Sequence, residues 1–585
     1  MGSRIRTFLA ELRRRKVYHV AAVYLVVGLG ILGAAELILD PLGLGAARPF
    51  IVIATLLGFP LALVLAWAYE VKPEEPRVVE IPEEDTLLHP DSAPPVEFAE
   101  SEPRKSIVVL PFDNMSPDPG DTYFCDGLTE EIITNLSHIR SLRVISRSSA
   151  MVLKSTQKDV RTIGRELDVQ YVLEGSVRRS GDDLRITAQL IDAITDEHLW
   201  AERYDGTLDD IFEMQEQTSL AIVEALDVKI NPGEREKLVE RRIDDIRAYE
   251  CYLRARNDIH KSTAESLKSA LRHLEAGLQI LGENELLHEG MAELHLQIYE
   301  VGVKADEETL QQAEEFVAKV MASRPDSAST HYLNGRIERF RGSCDRAAQH
   351  FERALEIDPN HPGALAFLVV SYALQVGRPA AADTFAKRLE AVDPLSPLAM
   401  FILAHHHWMS GRLEEALLTY DRALELEPDF VWASVFGLAY ILMWQERRDE
   451  ALDVLAPIAR RDPRDLAADW AILLECAIAG DSAGAAEALS VDSKSFLWND
   501  PDVPPFIGSA YALAGAKEEA LTWLERAIER GWINYPLFST QDPLYESIRG
   551  EERFKELMVR VKARWEASRP RSVNESALPG HSPSR

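Results

Sequence analysis

The chain has 585 residues, 46% of them hydrophobic, enough for several separate cores. Acidic residues number 95 against 64 basic ones, a net charge of −31 that repels phosphate backbones and argues against general nucleic-acid binding. Cys125, Cys251, Cys344 and Cys476 stand about a hundred residues apart with no C-x-x-C, which suits reduced thiols and not a disulfide frame or a zinc site.

Residues 1–16 form a basic N-terminus carrying Arg4, Arg6, Arg13, Arg14, Arg15 and Lys16. Two apolar runs follow within 17–70, Val20–Leu39 and Phe50–Tyr69, each long enough to cross a bilayer as a helix. GLGILG at 28–33 imitates a dinucleotide-binding fingerprint, but it lies inside the first run, with no strand before it and no polar crevice. Gly30, Gly33 and Ala34 read instead as small residues that let two membrane helices pack closely. The basic N-terminus against a connection holding only Arg48 predicts a cytoplasmic start, a hairpin through a bacterial inner membrane, and soluble domains back in the cytoplasm. The acidic flank Glu70, Glu74 and Glu75 leaves a periplasmic placement as the alternative. Residues 71–104 are dense in Pro and Glu and read as an extended linker.

Residues 105–230 alternate strand and helix signals. SIVVLPF at 106–112 is a buried strand, Asp126 is placed to cap a helix through GLTEEIITNLSHI, and Leu142–Ser146 is a second strand. A short helix over Val160–Leu167, a hairpin turning at Ser180–Asp183, a strand ending near Trp200 and a helix over Leu208–Leu226 complete a small mixed α/β domain. Asp113, Asp118, Asp121 and Asp126 crowd the first strand-to-helix loop, a place where such a fold could hold a metal or phosphate. With no Gly-Lys-Ser/Thr beside them, capping and turn formation is the preferred account. The blocks VVLPFDN (108–114), YFCDGLTEEIITNL (123–136), VQYVLEGSVRR (169–179), LRITAQLIDA (184–193) and HLWAERYDGTLDDIF (198–212) occur in order, and with them the segment resembles the FlgO/TolB-N-like domain of bacterial envelope proteins. That resemblance implies a domain set between a membrane anchor and helical repeats, and brings no catalytic residues.

From 247 to 565 prolines recur at 325, 359, 394, 428 and 463, spaced by 34 or 35 residues. This period is that of tetratricopeptide repeats, helix pairs that must stack to bury their faces. Interior positions agree: Gly335, Ala347, Phe351 and Ala354 in one unit, Ala404, Ala416, Tyr420 and Ala423 in another. Irregular units occupy 247–282, 285–325 and 466–497, Asp542–Val561 reads as a terminal cap, and 568–585 as a disordered tail. The fold class is thus multidomain: a membrane hairpin, a small mixed-sheet domain, and an all-α superhelical solenoid.

Repeat position 5 carries Tyr332, Phe367, Phe401 and Phe436 in four successive units, with Arg336, His405 and Tyr440 at position 9, and Arg339 and Trp408 at position 12. These positions line the concave wall of such arrays. The ladder therefore reads either as a groove for an extended or helical peptide, with Arg336 and Arg339 meeting an acidic group, or as rings packed between repeats or against the α/β domain. His405–His407 are adjacent on a helix and point about 100° apart, which disfavours a shared metal; His405 is expected to face the groove and His407 the partner helix. The sequence predicts a membrane-anchored scaffold that binds a protein partner, with no catalytic residue, cofactor or metal. Related arrangements occur in membrane-bound transcriptional regulators and adenylate cyclases. About sixteen residues before the first span leave no room for a DNA-binding domain, and no unassigned segment could hold a cyclase. A signalling component lacking its effector, or cryptic nucleotide binding by the α/β domain, are the alternatives.

Overall fold

The computed structural model describes residues 105–154, 158–238 and 243–568. They belong to the second of two compact units, which divide between Pro94 and Pro95. The expected membrane helices at 20–39 and 50–69, the linker at 71–104 and most of the expected tail at 568–585 lie outside the described residues. Among the described residues no helix is long and apolar enough to cross a membrane.

The α/β domain is built on a mixed sheet. β1 (Lys105–Val109) lies beside β3 (Leu142–Val144) and β4 (Tyr171–Ser180), parallel to both, while short β2 (Asp113–Asn114) also pairs with β4. β4, β5 (Asp183–Asp192) and β6 (His198–Thr207) form an antiparallel meander, which gives the strand order β3-β1-β4-β5-β6. The unbroken apolar run of β1 suits a strand buried on both faces, whereas β5 alternates Leu184, Ile186, Ala188 and Leu190 inward with Arg185, Thr187 and Gln189 outward. The domain's helices are α1 (Thr122–Ser137), α2 (Arg147–Val152), α3 (Val160–Glu166) and α4 (Ile211–Ala225). Of these, α1 and α4 supply Leu128, Ile132, Ile211 and Ile222 to the same core. Gly181 turns the β4–β5 hairpin with φ +64°, a conformation glycine reaches without strain.

Three local expectations are corrected. Asp126 does not cap a helix: α1 begins four residues earlier, and Asp126 sits buried inside it, ion-paired with Lys154 at 2.5 Å. The capping work falls to Asp118, which accepts from Gly120 N in the preceding turn. The second strand stops at Val144, because Ser146 accepts from Ser149 N and starts α2. The last strand does not end near Trp200 but runs on to Thr207, where Asp210 holds the Thr207 amide and starts the turn into α4.

Helix pairs then follow in the expected register. Ala328–Phe340 pairs with Cys344–Ile357, Pro397–Met409 with Leu413–Leu426, and Pro504–Leu513 with Lys517–Glu529. Ala347, Phe351, Ala354, Ala416, Tyr420 and Ala423 are all fully buried. A Cβ on Gly335 would stand 2.4 Å from the Phe351 ring and one on Gly437 2.5 Å from Tyr420, so a bare backbone is what lets helices touch within a pair at Gly335 and between neighbouring units at Gly437. The segment around 466–497 forms three short helices, Leu466–Ala479, Ser482–Ala488 and Val491–Asn499. The cap is a 3-10 turn, Pro543–Ile548, and a helix, Glu552–Ala567, which bury Leu544, Tyr545, Phe554 and Val561.

The α/β domain and the array are joined more tightly than their sequence boundary suggests. One apolar core runs from the sheet through Tyr249, Leu253 and Ile259 of the first repeat helix to Leu274, Leu287 and Leu294. Arg256 forms an ion pair with Glu130 of α1, and Gln215 of α4 donates to the Tyr249 hydroxyl at 2.8 Å. The sheet edge at β3 is also fastened to later repeats. Asn360 donates to Leu142 O at 3.1 Å, and Arg143 donates to Ala391 O at 2.8 Å.

Candidate functional site

The aromatic ladder lies on the inner wall of the array, and that wall is covered by the chain itself. Arg336 is 4% exposed, Arg339 5%, His405 4%, Trp408 1%, Phe436 5% and Tyr440 not at all; Tyr332, Phe367 and Phe401 are half-buried. Phe506, from the helix Pro504–Leu513, is seated against the ladder, with ring centroids 4.6 Å from Phe436, 5.5 Å from Tyr440 and 5.6 Å from Trp408. The Tyr440 hydroxyl donates to Phe506 O at 2.7 Å and accepts from Trp470 Nε1 at 3.2 Å. Phe401 meets Phe436 edge-on at 5.7 Å, and Tyr332 stacks towards Phe367 at 6.0 Å. The ladder thus links neighbouring repeats as well as the C-terminal helices.

Both arginines expected to meet an acidic ligand are met by acids of this chain. Arg336 pairs with Glu300 of the preceding unit, and Arg339 with Asp502, while the Arg339 guanidinium stands 4.6 Å over the Phe367 ring. Gln375 donates to the other Asp502 oxygen at 2.8 Å. Burial raises the Asp500 carboxyl, neighbouring Asp502 adds to the rise, and Arg339 opposes it. Around this point Ile533 N donates to Gln375 O at 3.1 Å and Asn534 donates to Leu374 O at 2.8 Å. Residues 500–506 and 532–534 therefore close the array on itself. A row of inner-wall polar atoms nonetheless stays buried without a hydrogen-bond partner among the described residues: Ser371 Oγ, His405 Nε2 and Trp408 Nε1. Each such group costs about 1–3 kcal/mol if left dry.

His405 does not face an open groove. Its Nδ1 lies 2.9 Å from Phe401 O and 2.8 Å from the Tyr420 hydroxyl, so it is wedged between its own partner helix and the next unit. His406 meets Asp383 at 2.9 Å, and His407 lies 3.4 Å from Glu415 on the partner helix. The three rings thus diverge to three different partners. Among the described residues no group of three His, Cys, Asp or Glu side chains is placed to hold a metal. The aspartates of the first α/β loop also separate: Asp118 caps, Asp121 lies 3.8 Å from Arg179, and Asp126 pairs with Lys154.

Two clusters escaped the reading of the sequence. Asp393, in the turn before one repeat, accepts from Ser146, from Ser148 at 3.0 Å and from Ser149 at 2.7 Å, so a single carboxylate collects three hydroxyls of the α/β domain. Burial raises its titration and those hydroxyls oppose the rise. The run ISRSS at 145–149 was the available signal, since clustered hydroxyls after a strand need acceptors. The Arg339–Asp502 junction spans 163 positions and has no local signature.

Comparison with known proteins divides along the same lines. Residues 370–429 and 407–475 match tetratricopeptide repeat families. Residues 370–475 of the solenoid thus carry tetratricopeptide repeats. Residues 103–222 match the family described as HilA/YgeH-like transcriptional regulator, second domain, over the stretch that resembled a FlgO/TolB-N-like domain by its sequence blocks. A protein of Rhizobium meliloti (strain 1021) named "Putative adenylate cyclase 3" is 49% identical over 177 residues, a match that covers 30% of this chain and 30% of that protein. Solved structures similar to the array include a thermophilic TPR protein of Thermus thermophilus, 19% identical with a TM-score of 0.26, covering 31% of this chain and 95% of that one. A tetratricopeptide repeat protein from Parabacteroides merdae is 14% identical with a TM-score of 0.28, covering 54% of this chain and 100% of the other.

Proposed function

We propose that this chain is a non-catalytic protein-interaction scaffold of a regulatory assembly, held at a bacterial cytoplasmic membrane by residues 20–39 and 50–69. The observation that carries the reading is the continuous core joining the α/β domain to the repeats, which makes the two one body. The names of the similar proteins, a transcriptional regulator's second domain and an adenylate cyclase, favour a place in signalling. A FlgO/TolB-N-like role for the α/β domain and a cytoplasmic position for the array belong to the same proposal. Affinity capture with the full chain in non-ionic detergent, alongside an assay for cyclic AMP formation from ATP, tests it. Capture of one defined protein with no cyclic AMP is the expected result, and cyclic AMP production by the purified chain overturns it. A reporter fused after Tyr69 reads the sidedness.

The ladder as the docking surface is a second reading, favoured by the inner-wall polar atoms left without partners among the described residues. On that reading a partner binds an opened array from which Phe506 and Asp502 have withdrawn, and it supplies partners to Ser371, His405 and Trp408. Asp502→Ala, which removes the closing carboxylate, then raises partner capture; unchanged capture in a folded variant rejects the ladder as the docking surface.

A further inference from the structure

The sheet of the α/β domain has two edges of different character. β3 is three residues long and tied down by Asn360 and Arg143. β6 is ten residues long, pairs among the described residues only with β5, and is exposed along most of its length. Such an edge offers a row of main-chain donors and acceptors to another strand.

One contact fixes the hydrogen-bond phase of that edge. Leu208 N donates to Asp182 O at 2.9 Å, one step beyond the Asp183–Thr207 pair in the same register. In an antiparallel ladder only alternate residues exchange hydrogen bonds. Gly206, Tyr204 and Glu202 therefore bond back to β5, and Asp205, Arg203 and Ala201 turn their amides and carbonyls to the open edge. Their side chains share the solvated face of the sheet. There Asp205 lies 2.5 Å from Arg185 of β5 and 2.8 Å from Arg203, with side-chain exposures of 45%, 48% and 62% for Asp205, Arg185 and Arg203.

We infer that β6 pairs antiparallel with β6 of a second copy of this chain, about a twofold axis through Tyr204. In that register Arg203 stands opposite Asp205 of the second copy, and Asp205 opposite its Arg203. Both are pairs whose main chains face each other with free donors and acceptors. Each Asp205 then lies between Arg185 of its own chain and Arg203 of the other. Shifting the axis by one residue sets Arg203 against Arg203, or Asp205 against Asp205, so the charge pattern selects one register. The occupant is a second copy because the strand is complementary to itself.

Sedimentation velocity of the full chain in non-ionic detergent, over micromolar concentrations, tests this. The expected result is a reversible dimer that Arg203→Asp weakens at least about tenfold, since it sets two like-charged pairs face to face. The variant Arg185→Asp/Arg203→Asp/Asp205→Arg reverses all three charges of the cluster, restores opposite charges in the same register and recovers the dimer. Circular dichroism verifies that the variants, altered at exposed positions, remain folded. A monomer at every concentration, a dimer indifferent to Arg203→Asp, or failure of the charge-reversed variant to recover overturns the inference.

Discussion

Burial pushes the His405 imidazole down to about 4, against a slight upward pull from its hydrogen bond to Phe401 O. In the unfolded chain the ring takes a proton near 6.5, while the folded chain resists it, so stability is whole above pH 6.5 and is lost as pH falls towards about 4. His361 is displaced in the same direction by its burial. The melting temperature is therefore expected to fall between pH 7 and pH 5, and His405→Gln, which cannot take the proton, to fall less over that interval. Equal slopes for the two proteins would assign the acid lability to other groups. Asp393 is the opposite case: its carboxylate tolerates burial because three serines of another domain donate to it.

The helix pairs follow directly from residue spacing. Prolines 34 or 35 apart mark the ends of second helices, and small residues such as Gly335 and Ala347 mark where paired helices touch, because both are demands of the immediate neighbourhood. What a first helix shows on its inner wall is a different matter. Phe436 in sequence is equally a groove residue or a core residue, and the decision rests with Phe506, which no spacing rule connects to it. Phe436→Ala is expected to cost about 3–5 kcal/mol, as for other buried rings. Leu418→Ala, on a side chain 65% exposed in the outer helix of the preceding unit, should cost under about 0.5 kcal/mol. Chemical denaturation of the two variants compares them, and a Phe436→Ala protein as stable as the parent would return the ring to the groove. The starts and stops in the α/β domain were legible to within a few residues except where a side chain outside the strand decided them. Ser146 ended β3 early, and Asp210 carried β6 on to Thr207.

At the scale of the whole described body, three long-range junctions set the shape: the shared core of α1 and the first repeat pair, the serine cluster on Asp393, and the closure at Asp502. None was readable from periodicity, since each joins residues distant in the chain. The closure is the most sensitive to single changes. Arg339→Ala leaves the half-buried Asp502 and Asp500 side by side without the guanidinium that offsets them, which is expected to lower the melting temperature. A drop that shrinks as the pH falls through about 6, where the Asp500 carboxyl takes a proton, is the expected signature; a loss independent of pH would point to packing instead.

The shared core has a practical corollary for anyone who trims this protein. A fragment cut near residue 246, where helical periodicity takes over, would strip Tyr249, Leu253 and Ile259 of their cover and leave α1 with a raw, greasy flank. Both halves would be expected to clump in solution. Repeat counting finds the seam in the text of the chain, but the material is welded across it, so the shortest well-behaved piece must carry the sheet and at least the first helices of the coil as one casting.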